Sequence, residues 1–169
     1  MITLSLASGT SIKSGIITLA LSIASTGGDQ TTAVQWSFGF TSDVTLASVA
    51  LGSAATVASK SLNRAGSLCV VAAVGTNNNI IGNGTLVTAT FNIAANPSSG
   101  SIPISVFGVV ATDVNGNGLT TSGSPGTITV DTPVLACPIN GDSAIFNVIY
   151  SATLIASGGV GPYTFAIIG

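Results

Sequence analysis

Residue type and spacing come nearest to chemistry in the segment Asp113-Val-Asn-Gly-Asn-Gly118. Asp113, Asn115 and Asn117 offer side-chain oxygens at alternate positions, which is how a D-x-[DN]-x-[DN]-G calcium loop begins. The bidentate Glu that would close such a loop is missing, and Ser124 stands in its place. A single carboxylate is a thin ligand set for a hard cation. The competing reading is a hairpin tip built on two Asn-Gly pairs. These three residues are the metal candidate, and calcium is the one cofactor considered.

Few other residues could carry a reaction. The chain has five Asp, no Glu and no His, and its only cations are Lys13, Lys60 and Arg64, giving a net charge of −2. Without His there is no Ser-His-Asp triad, no Cys-His pair and no His-ligated zinc. The Asp residues share no motif that would set a carboxylate separation. A non-enzymatic protein is expected, with no catalytic residue. Neutralising phosphates takes clustered cations, so no nucleic-acid partner is expected, and a polybasic membrane patch is excluded for the same reason.

Cys69 and Cys137 lie 68 residues apart. A bridge between them would contribute about 3–4 kcal/mol by closing that loop. Two cysteines do not make a disulfide framework, so a buried free thiol at Cys69, acting as a small hydrophobe, is preferred. Trp36 falls in phase with Val34, Phe38 and Phe40 and reads as core, not as an exposed sugar-stacking platform. Tyr150 and Tyr163 are the outward aromatic candidates. Asn77-Asn78-Asn79 reads as a loop. Asn83-Gly84-Thr85 has the form of an N-glycosylation sequon, a form that a Thr-rich chain also produces by chance.

The mean hydropathy of +0.72 and the absence of any charge across residues 65–112 raise the question of a membrane span. A spanning helix needs about 20 apolar residues. The best run, residues 68–74, is seven long and stops at Gly75 and the asparagines, so it reads as a buried strand. No basic n-region or apolar h-region opens the chain. No membrane span is expected.

The elements that must position these residues are strands. Ile17, Leu19, Leu21 and Ile23 alternate with small or polar residues. So do Val34, Trp36, Phe38 and Phe40, then Val87, Ala89, Phe91 and Ile93. Ile102, Ile104 and Val106, and finally Ile128 and Val130, repeat the pattern. A period of two with Thr, Val and Ile enrichment means half-buried strands. Asn-Gly at 83–84, 115–116, 117–118 and 140–141, with further Gly and Pro breaks, supplies the turns. Only residues 54–62 could hold a turn or two of helix. The expected fold is an all-β antiparallel sandwich. A boundary falls near Asp131-Thr132-Pro133, giving a sandwich over 1–131 and a tail over 132–169. In the tail, strand candidates at 150–157 and 162–168 are joined by Gly158-Gly159-Val160-Gly161. Chains this short rarely fold alone, so the tail is expected to be incomplete or docked in trans.

Gly15-Ile-Ile-Thr-Leu-Ala-Leu-Ser-Ile, Val34-Gln-Trp-Ser-Phe-Gly-Phe with Asp43-Val44, Ile81-Gly-Asn-Gly-Thr-Leu-Val-Thr-Ala-Thr-Phe and Gly126-Thr-Ile-Thr-Val together resemble a cohesin-type domain, the jelly-roll sandwich of cellulosome scaffolds and many bacterial surface proteins. At Phe40-Thr41-Ser42-Asp43 the chain departs from the tyrosine and proline usual in cohesins, so the resemblance carries the fold and no binding residues. Pro133-Val-Leu-Ala-Cys-Pro, Tyr150-Ser-Ala-Thr-Leu-Ile-Ala-Ser-Gly-Gly and Gly161-Pro-Tyr-Thr-Phe-Ala-Ile resemble the first half of a bacterial Ig-like repeat. Tandem modules of this kind imply an extracellular, cell-surface or virion location. Three roles follow. The first is a binding or adhesion module with a protein or glycan partner. The second is a self-associating structural subunit of an extracellular filament or virion, assembled by strand pairing. The third is an accessory domain of a secreted glycoside hydrolase.

Overall fold

Alternating sequence becomes strand wherever turn residues bound it. The structure, a computed structural model, describes residues 1–73, 75, 77–136, 154–159 and 162–166. In chain order the elements are β1 (Ile2–Leu6), β2 (Gly9–Ile12), β3 (Ile16–Ser25), β4 (Ala33–Gly39), β5 (Val44–Leu51), α1 (Ser53–Val57), β6 (Ser61–Ala65) and β7 (Leu68–Ala72). Then come β8 (Gly84–Ile93), β9 (Ser101–Thr112), β10 (Gly118–Leu119), β11 (Thr121–Ser124), β12 (Gly126–Asp131), β13 (Val134–Ala136) and β14 (Ile155–Ser157).

Two sheets face each other across one core. The small sheet runs β11-β1-β3-β8-β5; the large one runs β2-β12-β9-β4-β7-β6, with β10 beside β9. Pairing is antiparallel except at two places, where β1 lies parallel to β11 and β2 parallel to β12. The chain therefore changes sheet twice side by side, after β1 and after β11. The close approach leaves no room for a side chain at Gly126, where a Cβ would fall on the Ala7 carbonyl.

The core is made by the apolar phase of the strands. Leu19, Leu21 and Ile23, Val34, Trp36 and Phe38, Val87, Ala89 and Phe91, Ile102 and Ile104, and Ile128 are all buried. Trp36 meets Phe38 edge to face at 6.0 Å between centroids, and Phe38 and Phe40 meet Phe91 in the same way at 5.9 Å. Such T-shaped pairs suit the ring quadrupoles. Among the described residues Trp36 Nε1, which is buried, has no hydrogen-bond partner, a cost of order 1–3 kcal/mol that the ring's packing must exceed. The segment that could hold a turn or two of helix contains α1, whose Ala54 and Ala55 are buried.

Two expectations are corrected. The run at 68–74 is not a strand buried on both faces. In β7 Cys69 and Val71 point inward, whereas Leu68 is 37% exposed and Val70 is half-buried. A sandwich has only one inner face per sheet, so alternate residues of even a wholly apolar run meet solvent. In the tail, Ile155–Ser157 does not pair with the described part of the second strand candidate, residues 162–166. It pairs with β13, Val134 opposite Ser157 and Ala136 opposite Ile155, and residues 162–166 are not strand. Gly158 and Gly159, at φ +70° and +67°, turn the chain away, and Pro162 has no N–H for a ladder.

Candidate binding face

The bulge in β9 decides what the large sheet shows to solvent. Through Val106, even-numbered residues point inward and odd-numbered ones outward. Gly108 then takes a left-handed backbone at φ +62°, and the β4–β9 register slips opposite Trp36. Gln35 is left opposite Val110 while Ser37 is opposite Phe107. An extra residue in one strand reverses the phase beyond it. The result puts Phe107 and Val110, three residues apart, on the same outer face.

Two cross-strand rows follow from the registers. One is Phe107, Ser37, Leu68 and Ala65; the other is Val110, Gln35, Val70 and Asn63. Phe107 is 53% exposed and Val110 52%. The Phe107 ring lies over Gly39, against the point where a Cβ would stand, which fixes the ring. Neither row contains a charge. Arg64, next to Asn63 on the edge strand, reaches away to the Ala47 carbonyl of β5 at 3.5 Å. A flat, charge-free face with an aromatic held over glycine and one amide at its centre has the composition of the core of a protein–protein interface.

The outer face of the small sheet is different. Thr18, Thr90 and Ser48 form one row, and the Thr18 and Thr90 hydroxyls are 2.9 Å apart. Thr3 and Ser122 pair at 3.1 Å in another.

This arrangement has counterparts among solved structures. The third cohesin of ScaC from Acetivibrio cellulolyticus, solved with the ScaB dockerin, aligns at 16% identity and a TM-score of 0.66, over 77% of this chain and 99% of that one. The CaCohA2 solution structure from Clostridium acetobutylicum gives 18% and 0.62 over 77% and 90%. A non-cellulosomal cohesin from the hyperthermophilic archaeon Archaeoglobus fulgidus gives 18% and 0.61 over 76% and 90%. The chain has the cohesin fold. No protein-family model matches the sequence, and no curated protein matches it.

On the cohesin fold, the sequence candidates fall at the rims. Asp113 sits in the turn after β9. Its Oδ1 accepts from the Asn115 and Asn117 backbone N–H groups, each at 2.8 Å, and its Oδ2 from Asn117 Nδ2 at 2.9 Å. The Asn117 side chain, then its N–H, hold this carboxyl below the usual range, with the Asn115 and Gly116 N–H groups adding to the effect. The loop is closed on itself by these bonds, and a calcium ion would have to displace the donors. Among the described residues no group of three or more His, Cys, Asp or Glu comes together. Cys69 is a buried free thiol pushed up to about 11, by burial. Cys137 and Tyr150 lie outside the described residues. Tyr163 faces solvent, 39% exposed.

The asparagine run is structural. Asn77 Nδ2 donates to the Ala58 and Ser59 carbonyls at 3.0 and 2.7 Å, pinning the turn after α1. The same segment receives Lys60, which is buried; its Nζ donates to the Asn77 carbonyl at 3.1 Å, and burial pulls its pKa down. At the other end Asp43 is buried where both sheets join. It accepts from Ser98 N at 2.8 Å, Ser98 Oγ at 2.7 Å and Thr41 Oγ1 at 3.1 Å. The Ser98 N–H above all, then the Ser98 hydroxyl, hold it below the ordinary carboxylate range against the opposing effect of burial.

The signal missed in the sequence was Phe107-Gly108-Val109-Val110. A glycine inside an apolar strand marks a bulge, and a bulge puts apolar residues on the solvent side. Among the described residues no helix is long and apolar enough to cross a membrane.

Proposed function

We propose that this chain is a non-enzymatic protein-binding module of a modular extracellular or surface protein, and that its partner docks on the outer face of β9, β4, β7 and β6. The observation that carries this reading is the pair of charge-free rows centred on Gln35 and Ser37, with Phe107, Val110 and Leu68 exposed beside them. Apolar surface left in water on a folded domain holds unspent hydrophobic free energy, about 25 cal/mol per Å². The cohesin structures solved with bound dockerins support a protein partner over a glycan. Trp36, the chain's one tryptophan, is fully buried and offers no sugar-stacking platform.

The test is titration of the full chain with the dockerins of those complexes, by calorimetry. Saturable binding is expected, lost in Phe107→Asp and kept in Thr90→Asp, which alters the opposite face. Binding that survives Phe107→Asp rules out this face; no binding to any of the dockerins removes the dockerin class.

A second reading has its own observation. Residues 132–169, read as the opening of an Ig-like repeat, hold a two-stranded sheet with Val134, Leu135 and Ile155 about half or more exposed. Two strands alone are marginal in water and present open edges to another chain. Self-association through this hairpin is the alternative. Sedimentation of the full chain should then show polymers that Ile155→Asp disperses, with Phe107→Asp having no effect.

A further inference from the structure

We propose that Asn83 is an N-glycan acceptor, and that the glycan supplies the hydration that this chain's surface charges do not. Asn83-Gly84-Thr85 is the sequence's only asparagine with Ser or Thr two residues on, apart from Asn96, where Pro97 intervenes and blocks the reaction. In the structure Asn83 is exposed on the turn that leads into β8. Its amide has a fixed orientation. The backbone N–H of Ser25 donates to it at 2.8 Å, and an N–H can only be received by oxygen, so Oδ1 is the tethered atom. Nδ2, the atom that would be modified, has no hydrogen-bond partner among the described residues. Glycosylation at nitrogen leaves the carbonyl oxygen intact, so the bond to Ser25 survives.

The position also keeps the modification clear of other surfaces. Strand β3 begins at Ile16, close to the end where Lys13, Pro97 and Thr132 line one groove and the tail leaves the sandwich. It ends nine residues later at Ser25, beside Asn83. At about 3.3 Å per residue that is roughly 30 Å. Asn83 therefore stands at the other end of β3 from the groove that Thr132 lines. The need for it follows from composition. Charged residues make up 5% of the chain and mean hydropathy is +0.72, whereas solubility ordinarily rests on surface charge.

The reaction balances with one co-reactant, a lipid-diphosphate-linked oligosaccharide. Asn83 Nδ2 bonds to its anomeric carbon. The bond from that carbon to the phosphate oxygen breaks with its electron pair on the oxygen, and the displaced Nδ2 proton passes to solvent. The Thr85 hydroxyl is the sequon group that makes the amide reactive.

The inference rests on the extracellular location proposed above, not on what binds the large sheet. The test is intact-mass and glycopeptide analysis of the chain isolated from the cells that make it. The expected result is an oligosaccharide increment mapped to Asn83 and released by an amidase that leaves aspartate at that position. It should be absent from Asn83→Gln and Thr85→Ala and retained in Thr85→Ser, with circular dichroism confirming that each variant is folded. The deglycosylated chain should precipitate at lower ammonium sulfate than the native one. An unmodified native mass, or a sugar that survives Asn83→Gln, overturns the proposal. Neither outcome touches the Phe107 titration.

Discussion

On the outside of the small sheet Thr18, Thr90 and Ser48 stand in one row; on the outside of the large sheet the comparable positions hold Phe107, Ser37 and Leu68. Both rows meet water, and neither holds a charge. Hydroxyls bonded to one another or to solvent gain little by being covered. Exposed phenyl and isobutyl groups gain about 25 cal/mol per Å². The contrast teaches that a chain almost without charges can still be two-sided. Its polarity is written in hydroxyl against hydrocarbon, and the direction of each side chain is set by strand phase.

The comparison can be broken or sharpened by experiment, with the largest effect expected in the layer between the faces. Trp36 and Ser37 are neighbours that point in opposite directions. Trp36→Ala should cost about 3–5 kcal/mol in urea unfolding, while Ser37→Ala should stay within about 0.5 kcal/mol. Equal costs would mean that the strand phase is wrong and that the faces are not as described.

Next comes Phe107→Asp. If the large sheet holds the interface hot spot, binding of a protein partner should weaken by about 2–4 kcal/mol, roughly 30- to 1,000-fold, with little change in Tm. Thr90→Asp should leave the affinity unchanged. Equal losses from both would erase the distinction between the faces.

A smaller effect is expected where the bulge aligns the rows. Gly108→Ala forces an L side chain into left-handed backbone, at about 1–2 kcal/mol. The position is open, so the cost is conformational and not a clash. Denaturation should show that loss, and partner affinity should fall with it as Val110 leaves its row; a stability loss with unchanged affinity would detach the bulge from the binding face.

The last effect is directional and belongs to acid pH. The folded pKa of Asp43 is depressed by Ser98 and Thr41. Its contribution is therefore present above the unfolded carboxylate pKa and is lost as pH falls through the lower, folded value. Asp43→Asn should lower Tm at pH 7 and flatten the acid limb of a Tm–pH curve. Asp43 and Ser98 tie together the connections between the two sheets, so both faces should lose order together; hydrogen exchange that rises on one face alone would place the joint elsewhere.

How much of this was legible from residues alone depends on the element. Strand β3 could be read from Leu19, Leu21 and Ile23, and β4 from Val34, Trp36 and Phe38, because a period of two survives whatever packs on it. The cohesin resemblance, drawn from spacing and a few glycines, agrees with the fold. The Asp113 loop could be read as the start of a calcium loop or as a hairpin tip, and its carboxylate accepts from the loop's own N–H groups. The tail pairing was not legible. Val134–Ala136 and 162–168 compete for Ile155–Ser157, and nothing in a short apolar run ranks two partners. The candidate binding face was also not legible, since residues 68–74 look uniformly apolar.

The sequence by itself determined that this protein is all-β, that Trp36 belongs to its core and that it has neither His nor Glu, because these follow from periodicity and from which side chains exist. Only the tertiary structure decided which apolar residues meet water. That choice depends on the Gly108 bulge and on the register of β9 against β4. Each is a relation between segments far apart in the chain, and local composition holds no record of it.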